Sequence, residues 1–238
     1  MVDVLRERLP PFLNGITSAP LTEFNVNAIP QGAKGAYLLL HHDRPVYVGK
    51  TDAKHGFRDR LMRHYYTLQD RVGIGPEEMS FKAVRILVFS IIDVEAILIE
   101  TLRRQDPGAL SWNNSGFGSN DPGDKRDGQE PAEFDRQYPI DVDRQLRFDV
   151  AGQRAVLDLL KIMRANLPYV LRFDTKSPRL IELRDVHIAL PQGPTTTRRV
   201  LQTVIEALPA GWQATIFPGR IILYPRQTTY PFALATIP

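Results

Sequence analysis

Apolar residues cluster in two short runs near residue 40. Residues 35–40 (GAYLLL) and residues 45–49 (PVYVG) are rich in side chains that favour strands, and the four residues 41–44 separate them. Two such runs joined by so short a segment are typical of a β-hairpin. Residues 80–89 (SFKAVRILVF) form a third run of the same kind. The pattern therefore predicts three strands in the first half of the chain.

Two segments with the spacing of a helix lie between and after these three runs. Apolar and aromatic side chains recur at every fourth position over residues 56–68, which predicts a helix. Residues 91–104 are mostly apolar and end at an Asp-Pro-Gly sequence, which predicts a second, largely buried helix. Before the first strand, residues 2–9 predict a short helix stopped by two prolines, and residues 14–34 predict an extended lead-in.

A segment without periodicity follows the second helix. Residues 110–139 are rich in Gly, Asn, Asp and Pro, but they also contain Trp112, Phe117 and Phe134. Long loops inside compact domains are usually functional or disordered. Because three large aromatic side chains gain stability from burial, we predict a functional loop that packs onto the protein.

The pattern changes again from residue 145 onward. We predict, in order, helix 152–166, strands 168–173 and 179–184, a VHIAL segment at 186–190, helix 195–208, and strands 212–217 and 220–224. Similar sequences recur 40–44 residues apart, which suggests a β-α-β-β duplication. We therefore divide the chain into a lead-in at 1–30, a domain at 31–139 and a small α+β domain at 140–238 whose role the sequence does not indicate.

Composition narrows the class of protein. The chain has 238 residues, 43% hydrophobic and 24% charged, as in ordinary globular proteins. It has no cysteine, which excludes disulfides, thiolate metal sites and a cysteine nucleophile. No apolar run is long enough to cross a bilayer, and the N-terminus lacks the apolar core of a signal peptide, so we expect a cytoplasmic protein that does not enter the membrane. The net charge is only +3, but residues 50–64 carry five Lys or Arg against two Asp.

Polar side chains with chemical potential gather in the first domain. Tyr37 and Tyr47 lie one on each arm of the predicted hairpin, and Lys50 directly follows the second arm. Arg60 and His64 are four residues apart, so they share one face of the predicted helix. Taken singly, each has an ordinary explanation as a half-buried sheet aromatic or a solvated surface residue. Their grouping within one short region favours a site.

The second helix contains two candidate acids, Glu95 and Glu100. On a helical wheel, Leu98, Ile99 and Leu102 lie within about 60° of Glu95, so Glu95 falls in the middle of the apolar face. A buried carboxylate is costly unless it is paired or binds a metal ion. Glu100 lies on the opposite, solvated side. Glu95 is therefore the better candidate for chemistry.

The ordered set of residues resembles the GIY-YIG nucleases. The resemblance is carried by GAY ending at Tyr37, YVGKT at 47–51, RLMRH at 60–64, the helical glutamate, and WN ending at Asn113. The run GFGSNDPGDKR at 116–126, with EFDRQYP at 133–139, is similar to the branch of GIY-YIG type II restriction endonucleases. The resemblance covers roughly residues 30–139. It implies an α+β fold in which a three-stranded antiparallel sheet is flanked by helices, followed here by the second α+β unit.

This chain departs from the family pattern at three points. The first motif is GAY and the second is YVG, although each keeps its tyrosine. Asn113 follows Glu95 by 18 residues, a longer interval than the branch leads us to expect, so we interpret residues 103–111 as an insertion. Counting from Glu100 would repair the interval but would lose the match to Leu98 and Ile99. Glu95 is the expected metal ligand, with Glu100 as the alternative.

The resemblance implies a role for each candidate residue in phosphodiester hydrolysis. Tyr37 would accept a proton from the attacking water, with His64 as the competing base. Arg60 would neutralise the phosphate oxygens, and Lys50 and the metal ion would lower the pKa of Tyr37. Tyr47 would bind a phosphate oxygen or orient Tyr37, and Asn113 would close the site through backbone hydrogen bonds or touch the scissile phosphate. The implied cofactor is Mg²⁺, with Mn²⁺ as a substitute, held by Glu95 or Glu100.

The implied partner is double-stranded DNA. Candidate phosphate contacts are Lys50, Arg58, Arg63, Lys82, Arg85, Lys125 and Arg126. Cutting both strands of a palindrome requires two sites related by a two-fold axis, so we expect a homodimer at least on DNA. The leading hypothesis is a type II restriction endonuclease. The alternatives are a nuclease of a phage-defence system or a DNA-degrading toxin, whose C-terminal domain would bind a partner protein, and a DNA-binding module with an inactive site.

Overall fold

A computed structural model describes residues 7–8, 11–13, 15–86, 94–118 and 121–238. The chain is an α+β protein with antiparallel sheets and several helices. It forms two compact units. The first comprises Met1–Gln69 and Ile74–Gly118, and the second comprises Asp70–Gly73 and Ser119–Pro238. The domain boundary near residue 139 stays a prediction from sequence, and in space residues 121–139 group with the second unit.

The first unit is built around one antiparallel sheet. Its elements are β1 (Ala19–Pro20), α1 (Glu23–Ala28), β2 (Gly35–His41), β3 (Arg44–Lys50), α2 (Phe57–Gln69), a 3₁₀ turn (Pro76–Glu78), β4 (Met79–Arg85) and α3 (Val94–Gln105). The strand order is β1-β4-β2-β3. The three predicted strands and both predicted helices are confirmed in position. The joint between β2 and β3 is shorter than predicted, because the strands reach His41 and Arg44 and leave a two-residue turn.

Strand β2 is the central element, and both of its faces are covered. Residues 35–40 are all buried. Ala36, Leu38 and Leu40 pack in one apolar cluster with Leu98 and Leu102 of α3. On the other face, the ring of Tyr37 meets helix α2. Since successive side chains of a strand point to opposite faces, this arrangement sends Tyr37 to the side of the sheet that carries α2.

Several predictions for the first unit need correction. The lead-in at 14–34 is not wholly extended, because α1 forms where Thr22 accepts a hydrogen bond from the Asn25 amide (3.2 Å) and Val26 is buried. Of the helix predicted at 2–9, residues 7 and 8 are helical and the others lie outside the described residues. The end of the strand predicted at 80–89 and the start of the helix predicted at 91–104 also lie outside them.

The second unit has its own sheets and core. Its elements are a 3₁₀ turn (Asp124–Arg126), α4 (Glu133–Gln137), β5 (Gly152–Ala155), α5 (Val156–Asn166), β6 (Val170–Phe173), α6 (Leu180–Asp185), β7 (His187–Leu190), α7 (Thr197–Ala207), β8 (Gln213–Ile216), β9 (Arg220–Tyr224) and β10 (Ala235–Ile237). One sheet has the order β10-β8-β9-β6, with β6 and β9 parallel, and β5 pairs with β7. Helices α5 and α7 bury their apolar faces in one core cluster.

Three predictions for this region are wrong. Residues 152–155, predicted as the start of a helix, form strand β5 because they pair with β7, and the helix begins at Val156. Residues 179–184 form helix α6 instead of a strand, because Arg179 and Glu182 pair across one helical turn (2.8 Å) and Leu183 is fully buried. The predicted loop at 110–139 contains α4, which is fixed by the buried ring of Phe134. The order strand–helix–strand nevertheless occurs twice, as β5-α5-β6 and β7-α7-β8.

A buried ion cluster fastens one loop of the second unit. Asp127, 1% exposed, accepts hydrogen bonds from Arg172 (2.9 Å) and Arg220 (3.0 Å). Those arginines lie on the parallel neighbours β6 and β9. The cluster therefore ties the segment around Asp127 to the sheet.

Within the described ranges, none of the helices combines the length and apolar character that a bilayer crossing demands.

Candidate active site

The register of the hairpin places two tyrosines on one face of the sheet. Tyr37 of β2 lies opposite Gly49 of β3, and Tyr47 lies opposite Leu39, so the two tyrosines occupy neighbouring diagonal positions. Their ring centroids are 6.3 Å apart. A Cβ atom at Gly49 would come within 2.4 Å of the Tyr37 hydroxyl oxygen. The glycine of the YVG motif is therefore required because the Tyr37 side chain crosses it.

Helix α2 brings His64 to Tyr37. Phe57, Leu61, His64 and Leu68 form the buried face of the helix, at the spacing expected for one side of an α-helix. The Tyr37 hydroxyl and His64 Nε2 are hydrogen-bonded at 2.8 Å. The imidazole is 4% exposed and stacks on Phe117, with centroids 4.8 Å apart. Burial, and then the charges of Arg63 and Arg60, lower the pKa of His64 to about 3, so the imidazole is neutral near pH 7.

Burial acts on the tyrosines in the opposite direction. It raises the pKa of Tyr37 well above its usual value, and the charge of Glu95 adds to the effect while that of Arg60 opposes it. Burial, followed by the charge of Glu95, also raises the pKa of Tyr47. Both phenols are therefore neutral at pH 7. The nearby arginines act to lower the pKa of Tyr37, but desolvation outweighs the charge of Arg60. The effect of Lys50 and a metal ion on this pKa stays a prediction.

Arg60 lies one helical turn before His64 and is incompletely paired. Its Nη2 contacts Asp52 Oδ2 at 3.3 Å. Its Nε is buried and has no hydrogen-bond partner among the described residues. A buried donor without a partner costs about 1–3 kcal/mol, so a position of this kind calls for an explanation. The guanidinium fork suits the paired oxygens of a phosphate or carboxylate.

Lys50 and Glu95 meet beside this pair of tyrosines. Lys50 Nζ lies 3.7 Å from Glu95 Oε2, and the Glu95 side chain is 28% exposed. The prediction that Glu95 is a buried carboxylate is therefore wrong, because solvent reaches it. It also has a cationic partner, since Lys50 lies at the end of β3. Glu95 still lies beside the buried Leu98 and Leu102, as the helical wheel predicts. Glu100 lies on the exposed side and pairs with Arg104 at 2.8 Å.

The side chain of Asn113 joins the segment after helix α3 to strand β3. Its side-chain amide donates to the Val48 carbonyl (2.9 Å) and accepts from the Val48 amide (2.8 Å). Nearby, the Leu110 and Trp112 amides donate to backbone carbonyls of β3. Of the two predicted roles, the structure therefore places Asn113 in backbone hydrogen bonds. These two hydrogen bonds join the segment that contains Asn113 to strand β3.

The glycine-rich run at 116–126 is divided. Gly118 has φ +73°, a left-handed conformation that favours glycine, and a Cβ there would lie 3.3 Å from the Tyr47 hydroxyl. Residues 119–120 lie outside the described residues, and residues 121–126 belong to the second unit. Lys125 and Arg126 are thus exposed side chains of the second unit, where Arg126 Nε donates to Gln129.

The other predicted DNA contacts lie around the first unit. Arg63 and Arg85 are exposed. Arg58 is half-buried and its Nε donates to the Ile29 carbonyl, and Lys82 Nζ donates to the Leu13 carbonyl at 3.1 Å. Arg58 and Lys82 therefore have backbone partners in the folded chain.

Sequence reasoning missed three residues of this site. Asp52 orients Arg60, Phe117 stacks on His64, and Thr51 accepts a hydrogen bond from the Gly35 amide at 2.9 Å. Asp52 had a local signal, since an Asp before two turn residues caps their amides, as it does here for Lys54 and His55. The other two depend on long-range packing.

The arrangement offers an arginine with one buried donor that lacks a partner among the described residues, two neutral phenols, a buried imidazole and a partly exposed carboxylate. No protein-family model matches this chain, and no curated protein sequence matches it significantly.

Proposed function

We propose that the first unit is a metal-dependent endonuclease of the GIY-YIG type that hydrolyses DNA phosphodiester bonds. The observation that carries the proposal is the buried, unpartnered Nε of Arg60 beside the hydrogen-bonded pair of Tyr37 and His64. An anion at this point would meet a guanidinium donor and a proton acceptor at once.

The fold supports the same proposal. Strands β2, β3 and β4 are antiparallel neighbours with α2 and α3 packed beside them, as in the three-stranded sheet that the resemblance implies, and the two-residue strand β1 adds a fourth strand at the edge. The close approach of Tyr37 to Gly49 links the GAY and YVG motifs physically. The two motifs therefore depend on each other, since a substitution in either would displace the hydroxyl of Tyr37.

Arg60 is the phosphate-binding group in this proposal. Phosphodiester hydrolysis places extra negative charge on the non-bridging oxygens as water attacks, and fixed cations in a water-poor site stabilise that charge. Arg60 would donate its free Nε–H and one Nη–H to these oxygens, which would also satisfy the unpartnered atom. Asp52 holds the other side of the guanidinium and fixes its orientation.

Tyr37 and His64 form the proton path. Tyr37 would accept a proton from the attacking water as its own hydroxyl proton moves to His64 Nε2, so the phenolate, which burial disfavours, need not accumulate. In the free protein the neutral pair is preferred, because burial lowers the pKa of His64. A bound phosphodiester brings negative charge and thereby favours protonated His64 during the reaction.

Glu95 is the proposed metal ligand. It is a single, half-exposed carboxylate within reach of solvent, which fits Mg²⁺, an ion that keeps several waters and binds through one or two carboxylates. When bound, Mg²⁺ polarises phosphate oxygens and stabilises the leaving oxygen. Lys50 neutralises Glu95 in the free protein and would be released to contact the phosphate backbone.

The finer proposal is a type II restriction endonuclease that acts as a homodimer at a specific double-stranded site. The second unit, in which the order strand–helix–strand occurs twice, is then either a base-reading domain or a partner-binding domain. The duplication stays a hypothesis for those elements, because α6 and β9 differ where the third repeated element would lie.

The test is incubation of the purified chain with a defined plasmid, with and without Mg²⁺, followed by sequencing of the ends. Discrete fragments would support a restriction enzyme, and a smear would support a defence or toxin nuclease. Tyr37→Phe and Glu95→Gln should each abolish cutting while DNA binding survives, because each removes a reacting group and not a phosphate contact. Binding without any cutting by the wild type would contradict the enzyme and favour a DNA-binding module.

A further inference from the structure

Two histidines and a glutamate converge at the tip of the β2–β3 hairpin. His41 Nε2 lies 3.3 Å and His42 Nε2 lies 3.2 Å from the same oxygen of Glu78, Oε2. The ligand atoms of all three side chains lie within 4.8 Å of one another. Adjacent histidines in a hairpin turn are ordinarily solvated, so the convergence of these three side chains needs an explanation.

The backbone explains how adjacent histidines come to point the same way. Neighbouring residues of a strand normally face opposite sides of the sheet. Here His42 (φ 47°) and Asp43 (φ 63°) both adopt the left-handed conformation of a tight hairpin turn, where Asn and Gly are usual. The two imidazole centroids are consequently 4.3 Å apart. His and Asp are among the residue types that adopt this left-handed conformation more readily than most.

Strand pairing supplies the third member. His41 lies opposite Met79 in the β2–β4 register, and the His42 amide donates to the Glu78 carbonyl at 3.2 Å. Glu78 is thereby fixed beside both histidines, although 36 residues separate it from His42 in the chain. No local pattern could have connected them.

The spacing matches a tetrahedral metal site. Zn²⁺ binds histidine nitrogen and carboxylate oxygen at about 2.0–2.1 Å, which makes the edge between two ligand atoms of a tetrahedron about 3.3 Å. The two nitrogen–oxygen distances in this cluster are 3.3 and 3.2 Å. An ion could therefore bind with little change in two of the three distances between ligand atoms.

The surroundings also suit a metal ligand set. The second oxygen of Glu78, Oε1, accepts the Gly75 amide at 2.9 Å, and this hydrogen bond is the main reason that the pKa of Glu78 is lowered. Hydrogen bonding of this kind orients ligating carboxylates. The ring of His41 lies against Trp112 with centroids 5.7 Å apart. His42 is 67% exposed, so an ion can reach the cluster from solvent.

We propose that His41, His42 and Glu78 bind a divalent transition-metal ion of the zinc class, with water in the fourth position. Imidazole ligands favour Zn²⁺, Ni²⁺ or Co²⁺ over Mg²⁺. The ion would tie the hairpin turn to the 3₁₀ turn that precedes β4. His41 and Tyr37 are four residues apart on β2, roughly 13 Å along the strand, so this site and the Glu95 site are separate. The proposal does not depend on the nuclease assignment.

The experiment titrates the metal-stripped full chain, in a Glu95→Gln background, with Zn²⁺ by calorimetry and with Co²⁺ by visible absorption. The background removes the other proposed metal ligand. We expect one equivalent to bind, the strong absorption of tetrahedral Co²⁺, and a rise in the melting temperature with Zn²⁺. His42→Ala and Glu78→Gln should each weaken binding by at least roughly tenfold, the scale on which losing even an outer partner acts.

His55→Ala is the matched control. His55 also contacts a carboxylate, Asp52 (3.1 Å), but no second histidine joins that pair, so its removal should leave Zn²⁺ affinity unchanged. Glu78→Gln keeps the shape of the side chain and an oxygen for the Gly75 amide, which separates loss of a ligand from loss of the turn. Absence of a one-to-one binding event, or equal affinity in wild type, His42→Ala and Glu78→Gln, would overturn the proposal.

Discussion

Each unit holds arginines beside carboxylates, and the two clusters differ in how completely their polar atoms are paired. In the second unit, Asp127 is fully buried between Arg172 and Arg220, and both arginines donate to it. In the first unit, Arg60 contacts the exposed Asp52 while its buried Nε lacks a partner within the described part of the chain. The acid of the second unit's cluster is paired with both arginines, whereas the first unit's cluster leaves one buried donor without a partner among the described residues.

Whether a buried donor without a partner indicates a functional site depends on the groups that surround it. Arg154 of the second unit also has a buried Nε without a partner among the described residues. The charge of Arg60, in addition, influences the pKa of three neighbouring groups, Tyr37, Tyr47 and His64. Perturbed groups that gather around an incomplete cation are typical of functional sites.

The largest expected effect is on stability, from Asp127→Asn. Removing the charge leaves the buried Arg220 without its acid and leaves the partly buried Arg172 with Asp121 as its acid, and breaking a buried pair in this way costs about 3–5 kcal/mol. The measurement is the opening free energy from hydrogen exchange in peptides of β6 and β9. Asp143→Asn is the control, because Asp143 pairs with Arg198 at 2.6 Å but is 61% exposed, so its loss should cost about 1 kcal/mol or less. Equal costs for the two variants would show that the buried cluster is not what fastens this unit.

The next effect is on cleavage, from Arg60→Ala. Loss of one donor to a developing oxyanion typically lowers kcat by about 10²–10³-fold. We expect that loss in a plasmid assay with Mg²⁺, with little change in melting temperature, because the variant also removes an unpaired buried donor. Arg154→Ala should cleave at the wild-type rate. Normal cleavage by Arg60→Ala would mean that the incomplete arginine has no catalytic role.

The contrast also shows what could be predicted from the sequence. The three strands and two helices of the first unit follow from local patterns, because their apolar spacing matches the observed burial. The proximity of Tyr37 and His64 depends on packing across 27 residues, and the pattern indicated only that His64 shares a helix face with Arg60. A resemblance supplied the rest of that grouping.

Other features were beyond reach because their causes are not local. Residues 179–183 (RLIEL) resemble residues 220–224 (RIILY), which do form a strand, but the contact of Trp212 with Glu182, together with the Arg179–Glu182 pair, favours the helix. Lys50 neutralises Glu95 only because β3 ends beside α3. A helical wheel gives the direction of the Glu95 side chain but not what meets it.

A smaller effect is the pH dependence of stability in the first unit. In the unfolded chain His64 takes up a proton near pH 6.5, and in the folded chain its pKa is about 3. The unfolded state therefore binds more protons between these values, so stability is fully present above pH 6.5 and is lost as the pH falls toward 3. At pH 5 the loss should be about 2 kcal/mol relative to pH 7.5.

The measurement is urea denaturation followed by the fluorescence of Trp112, with Trp212 replaced by Phe. His64→Gln in the same background keeps a hydrogen-bonding side chain but cannot titrate, so its stability should fall less between pH 7.5 and pH 5. Parallel pH profiles in the two proteins would contradict a buried, neutral His64.

The smallest effect tests the two acids of α3, of which Glu95 pairs with Lys50 and Glu100 pairs with Arg104. Glu100 and Arg104 form an exposed pair one helical turn apart, and such pairs contribute about 0.3–0.5 kcal/mol. Glu100→Gln should therefore shift the melting temperature only slightly and leave Mg²⁺-dependent cleavage unchanged, while Glu95→Gln abolishes cleavage. If Glu100→Gln instead stops cleavage and Glu95→Gln cuts normally, the metal ligand is Glu100. That result would mean that α3 presents its other face to the substrate, and the Lys50–Glu95 pair would then be a structural contact like that of Asp127.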